Sequence, residues 1–168
     1  GPELVEIARM AGKRLEYGAS VAGGIPAILG IQEGLAGDQL YKISGVLNGT
    51  CNFILTKMEA TGASFESALK EAQELGFAEA DPTNDIEGYD ARAKLVILTQ
   101  VGWRARVRSE QIPCWPISAV EAVDFAYAKE LGCTIRQISL AKKETADGLI
   151  VHAFVRPALV PVTSLVAH

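Results

Sequence analysis

The chain has 168 residues, of which 49% are hydrophobic and 21% charged, and its net charge is −4. That length suits one domain with a real core, and the composition is globular, without disordered or collagen-like bias. The acidic balance argues against a nucleic-acid partner, which calls for a basic face; no apolar run is long enough to span a membrane, and none opens the chain as a secretion signal.

Residues 3–15 alternate apolar and polar positions at helical period, with Pro2 placed to start the helix. Gly1-Pro2 is either native or a protease scar. Leu15 to Val21 reads as a short strand entering the Gly23-Gly24 turn, and Ile25 to Leu35 as a helix with Pro26 near its first position. Asp38 to Leu47 is predicted as a strand, ended by Asn48-Gly49-Thr50. A helix follows to about Ala60, with Phe53, Ile54, Leu55 and Met58 on its apolar side. After Thr61-Gly62, Ser64 caps a further helix from Phe65 to Leu75 that Gly76 stops.

Residues 76–88 form a polar loop with Asp81-Pro82, Asn84, Asp85 and Gly88, the kind of connection where function collects. From about Ile86 a long helix runs to Val101, and its Leu95–Leu98 run implies burial on most sides. Gly102 to Gln111 is basic and irregular, with Arg104, Arg106 and Arg108. Ser118 to Leu131 reads as a helix in which Ser118 and Glu121 form a capping box. Thr134 to Lys142 and Leu149 to Val155 alternate as strands around Asp147-Gly148, a hairpin signal. These elements predict a single α+β domain over residues 1–168, a mixed β-sheet with helices packed on one face. No strand is followed by G-x-G-x-x-G and a helix, so the chain carries no dinucleotide fingerprint of its own.

The three cysteines, Cys51, Cys114 and Cys133, are widely spaced and odd in number, which reads as free thiols in a reducing compartment, most simply the cytoplasm. Only His152 and His168 are histidines, so proton transfer must rest on carboxylates or a lysine. Asp90 and Lys94 lie four apart on one helix face. Taken alone, that pair is a surface ion pair of little consequence. Here the helix turns apolar directly after Lys94, and Glu79, Asp81, Asp85 and Glu87 crowd the preceding loop. A lysine in a desolvated pocket can exchange protons, with a carboxylate to orient it. The competing reading assigns these acids to capping, turns and solvation, and their spacing does not fit a calcium loop. Gly45 to Thr50 ends a strand and opens a helix, where backbone N–H groups could hold an anion; the plain alternative is a strand-to-helix turn capped by Asn48 or Thr50.

Gly23-Gly24-Ile25-Pro26, then GVLNGTCNFILTKM from Gly45 to Met58, then ELGFAEADPTNDIEGYDARAKLVIL from Glu74 to Leu98 resemble homoserine dehydrogenases in order and spacing. The resemblance covers nearly the whole chain, and the paired EADP…D…G-D…K and NGT-N patterns are specific. It implies NAD(P)-dependent interconversion of L-aspartate 4-semialdehyde and L-homoserine, on the route to threonine, methionine and isoleucine. By position, Lys94 and Asp90 match the catalytic pair, the lysine as proton donor to the carbonyl oxygen and the aspartate as its partner. Glu79 matches the acid that holds the substrate ammonium, Asp85 a second substrate-facing acid, and Gly49 and Thr50 the segment lining substrate and nicotinamide.

The resemblance further implies a homodimer through the sheet and a monovalent cation such as sodium on the carbonyls of Val21, Gly23 and Ile25. Two positions depart from the pattern: Gly18 stands where the family often has a glutamate cation ligand, and Cys51 where it usually has threonine. Cys51 reads as packing, because no base is evident beside it. The family's N-terminal Rossmann domain is missing from the chain, so the fragment is expected to be truncated at both ends and inactive alone. An alternative is a non-catalytic dimerisation or amino-acid-binding module of the same fold; a free-standing small-molecule sensor is a third reading.

Overall fold

A computed structural model describes residues 2–144 and 150–167. The Asp147-Gly148 turn expected between the last two strands, and His168, lie outside the described residues. Helix α1 spans Pro2–Met10, shorter than expected. Gly12 adopts φ 63°, and the bonds Gly12 N–H to Arg9 O and Lys13 N–H to Ala8 O close the helix end before Lys13.

No strand forms over Leu15–Val21. Gly18–Ser20 is a 3₁₀ turn, followed by an extended Val21 buried against Ile28 and Leu98. An isolated extended segment has no partner for its backbone groups, so the apolar pattern there served to anchor one valine. Helix α2, Ala27–Leu29, runs directly into a π-helical turn at Gly30–Gly34. Pro26 caps α2 from outside, which delays its start beyond Ile25.

Strand β1 is only Lys42–Gly45, because the ends of the expected strand are drawn to the long helix instead. The Leu40 carbonyl accepts Trp103 Nε1–H at 2.6 Å, and the Leu47 carbonyl accepts from Lys94. Helices α3 (Gly49–Thr61), α4 (Phe65–Glu74) and α5 (Thr83–Ile86) follow, α3 capped by Asn48 and α4 by Ser64. Helix α6 spans Tyr89–Trp103, starting later than Ile86 because α5 and the left-handed Gly88 occupy the gap.

The capping box expected at Ser118 sits three residues further on. Ile117–Ala119 is a 3₁₀ turn, Val120 is extended, and helix α7 spans Ala122–Glu130 under a box made by Glu121 and Asp124. Ile117 and Val120 are both buried, and burying the two together requires the break between them. Strands β2 (Cys133–Glu144) and β3 (Ile150–Pro161) each outrun the alternating pattern that predicted them.

The sheet has the order β1-β2-β3, with both pairings antiparallel. The parallel pairing among the described residues is one isolated bridge, Cys114 with Val155. This is the α+β class expected. On one sheet face, Ile135 and Cys133 join α3, α4 and α7 in a core built on Ile54, Leu55, Met58, Ile117 and Phe125. Further along that face, Ala141 and Val155 pack on Ala91, Leu95 and Val96 of α6. Leu98, on another side of α6, meets Val21 and Ile28, so the helix is buried on two sides. Ile138 and Val160 lie on the opposite sheet face under Ala167. Two prolines, Pro157 and Pro161, stand in the edge strand β3, where a missing N–H interrupts no inner ladder.

Candidate active site

The polar loop and the α3 N-terminus meet because Phe77 and Ala78 fold back on them. The Thr50 hydroxyl donates to Phe77 O at 2.7 Å, and the Phe53 and Phe77 rings pack with centroids 4.8 Å apart. Asp81 serves its turn, accepting Thr83 N–H at 3.1 Å and Thr83 Oγ1–H at 2.6 Å; those bonds hold its carboxyl below the usual carboxylate value.

Gly88 sets the height of α6 over the sheet. It is buried, at φ 81°, and a Cβ on it would stand 3.0 Å from Val155 Cγ1 and 3.5 Å from Gln137 Nε2. A side chain there would lift the first turn of α6, and Asp90 with it. Asp90 and Lys94 then project one turn apart. Lys94 Nζ donates to Asp90 Oδ2 at 2.7 Å and to Leu47 O at 3.1 Å. An ammonium has three hydrogens, so one remains for a third acceptor. The two side chains are 27% and 33% exposed, so the pair is only partly desolvated within this chain.

Asn48 is the site residue whose role the sequence did not reveal; it stood there as one of two possible caps and as the first residue of the NGT-N pattern, with no side-chain partner assigned. Its Oδ1 accepts Cys51 N–H at 2.8 Å, and its Nδ2 donates to Asp85 Oδ1 at 2.6 Å and to Asp90 Oδ2 at 2.8 Å. No local pattern signals this, since the partners lie 37 and 42 residues away. Cys51 is fully buried and its thiol donates to Asp85 O at 3.1 Å. Burial first, then the charge of Asp85, pushes that thiol up to about 12, which suits packing and not nucleophilic attack.

The structure therefore brings Asp85, Asp90 and Lys94 into one cluster through Asn48 and Leu47. Glu79 is exposed on the adjoining loop, whose carbonyls at Glu79 and Ala80 accept from Gln73 Nε2. Among the described residues, no hydrogen bond or ion pair joins the Glu79 carboxylate to the cluster. Gly49, the first residue of α3, is exposed with open space where a side chain would be.

Val21, Gly23 and Ile25 surround a left-handed turn at Ala22 and Gly24, beside a cleft of about 630 Å³ that includes none of Asp85, Asp90 or Lys94. The donor set there lacks a charged ligand. It offers neutral carbonyls alone, the one at Ile25 already accepting Ala27 N–H, and Gly18 supplies no carboxylate. Among the described residues no three or more histidine, cysteine or acidic side chains gather as a metal site. No helix among them is long and apolar enough to cross a membrane.

Comparison with known proteins gives a consistent result. The family model described as homoserine dehydrogenase matches residues 26–168. Homoserine dehydrogenase of Mycobacterium tuberculosis (strain ATCC 25618 / H37Rv) is 44% identical over 163 residues, covering 96% of this chain and 37% of that protein. The crystal structure of a homoserine dehydrogenase from Thiobacillus denitrificans superposes with a TM-score of 0.93 at 40% identity, over 99% of this chain and 38% of that one. A hyperthermophilic archaeal homoserine dehydrogenase in complex with NADPH superposes with a TM-score of 0.77 at 26% identity, over 97% of this chain and 45% of that one. The chain thus spans 37% of the length of the M. tuberculosis protein and 38% of that of the T. denitrificans chain.

Proposed function

Since the chain belongs to the homoserine dehydrogenase family, we propose that it is the substrate-binding and catalytic part of an enzyme that interconverts L-aspartate 4-semialdehyde and L-homoserine. The observation that carries this reading is the Lys94 ammonium, held by Asp90 Oδ2 and Leu47 O with one hydrogen left to direct at a substrate oxygen. Reducing an aldehyde to an alcohol adds a hydride to carbon and a proton to oxygen. Lys94 gives that proton, and in the reverse direction takes it from the hydroxyl. Asp90 orients the lysine. Glu79 receives the substrate ammonium, Asp85 faces the substrate beside it, and Gly49 and Thr50 line the place where substrate and nicotinamide meet.

A bound NAD(P) supplies or accepts the hydride. Its binding falls to a Rossmann domain of the parent protein, because this chain lacks a glycine-rich dinucleotide turn. Any monovalent cation on the Val21, Gly23 and Ile25 carbonyls takes no part in either transfer. In this reading the enzyme is cytoplasmic and works as a homodimer joined through its sheet.

The test is NAD(P)H oxidation with aspartate 4-semialdehyde, followed for the full-length parent and for this chain alone. Turnover is expected from the parent and lowered by about 100-fold or more in Lys94→Ala, while the isolated chain is inactive. A parent without turnover, but whose isolated domain binds homoserine through Glu79, would favour the non-catalytic amino-acid-binding module.

A further inference from the structure

We propose that Asn48 is a positioning residue of the Asp85–Asp90–Lys94 cluster, its single carboxamide nitrogen holding both carboxylates while its oxygen caps α3. The amide's orientation follows from chemistry. Cys51 N–H is a donor and must meet Oδ1, so Nδ2 faces the acids; the flipped amide would aim an oxygen at two carboxylates.

Capping explains only half of this residue. Serine, aspartate and threonine also cap helices, but none offers two hydrogens to a pair of anions. In Asn48 both amide hydrogens are used, one on Asp85 of α5 and one on Asp90 of α6. Asn48 is 4% exposed and both bonds are part-buried, so water reaches them only from the carboxylate side. They also hold two like charges close together, which would otherwise drive the loop and the helix apart.

The consequence reaches Lys94. Asp90 Oδ2 accepts from both Asn48 and Lys94, and the preceding carbonyl, Leu47 O, takes a second lysine hydrogen. One dipeptide at the β1–α3 junction thus grips the lysine directly and also through its carboxylate. With Asn48 in place, the Asp90 carboxylate cannot swing away from Lys94 without also losing its bond to the amide. The direction of the third Lys94 hydrogen is thereby set.

The kinetic part of the test rests on the proposed homoserine dehydrogenase reaction; a chemical part does not. Asn48→Ser and Asn48→Thr both keep a cap oxygen and remove the amide hydrogens. In the full-length parent, each is expected to lower kcat by about 10- to 100-fold, the scale of a slightly misplaced reacting group, with the KM for the nicotinamide cofactor unchanged. Acylation of Lys94 by acetic anhydride, mapped by mass spectrometry, should rise several-fold, while Lys57, paired with Glu71, labels as before. Wild-type kcat and Lys94 labelling in either variant would overturn the proposal. So would a rise at Lys57 equal to that at Lys94 in both variants, which marks general loosening through the lost cap. If the wild-type parent shows no homoserine turnover, the reaction assignment fails, and Lys94 labelling still decides the role of Asn48.

Discussion

Gly88 faces Val155 so closely that a Cβ on the glycine would stand 3.0 Å from Val155 Cγ1, while the glycine's own backbone is left-handed at φ 81°. Two independent penalties therefore fall on any side chain there: the left-handed conformation costs about 1 kcal/mol, and overpacking a filled core adds about 1–3 kcal/mol. Gly88→Ala is expected to destabilise the fold by about 2–4 kcal/mol, read from urea unfolding midpoints at constant slope. A change of only about 1 kcal/mol, the left-handed cost alone, would mean that α6 can rise freely, and that its height over the sheet is not set at this contact.

Lys94→Ala separates chemistry from stability. The Lys94–Asp90 pair is partly exposed, so its loss should cost no more than about 1 kcal/mol. If Lys94 is the proton donor as proposed, its loss should instead lower kcat by about 100- to 10,000-fold in the full-length parent. Comparable losses in stability and activity would make Lys94 a structural residue.

Arg136 on β2 is tied to Glu59 on α3 at 2.9 Å, with further bonds from the same nitrogen to Thr134 Oγ1 and Ile135 O. The guanidinium side chain is only 7% exposed, whereas Glu59 is 35% exposed. Glu59→Ala strands a buried cation, which should cost about 3 kcal/mol, the low end for a broken buried pair because water still reaches the carboxylate side. The double variant Glu59→Leu with Arg136→Met should recover most of that loss. Chemical denaturation of the three proteins gives the comparison, and a double variant as unstable as Glu59→Ala would rule out stranded charge as the cause.

Cys51 gives the fold a sensitivity to alkaline pH. Its thiol is raised from an ordinary 9.0 to about 12 in the folded chain, first by burial and then by Asp85. The unfolded thiol loses its proton near 9 and the folded one does not, so this contribution is complete below pH 9 and is lost as pH rises towards 12. Cys51→Ala should flatten the fall in stability across that window while costing some stability at neutral pH. With a thiol-reactive disulfide at pH 8, native Cys51 should stay unlabelled until the protein unfolds; rapid labelling in the folded state would contradict its burial.

Much of the architecture was legible from local chemistry. Asn48 and Thr50 were already the two candidate caps for α3, Ser64 opens α4, and the i,i+4 spacing of Asp90 and Lys94 led directly to a contact of 2.7 Å. Where reading failed, a distant partner had overruled a local pattern. The Ser118 box gave way to Glu121 and Asp124 once Ile117 and Val120 were both buried, and the strand expected at Leu15–Val21 found no neighbour.

The sequence by itself determined the family pattern, the helix-borne Asp90–Lys94 pair and the caps, because these depend on residues within one or two turns of each other. Tertiary structure alone decided that one amide of Asn48 serves two acids, that Gly88 must be bare against Val155, and that Arg136 finds Glu59 77 residues away. Those facts depend on how elements stack across the core, where register and close approach select partners that no local periodicity encodes.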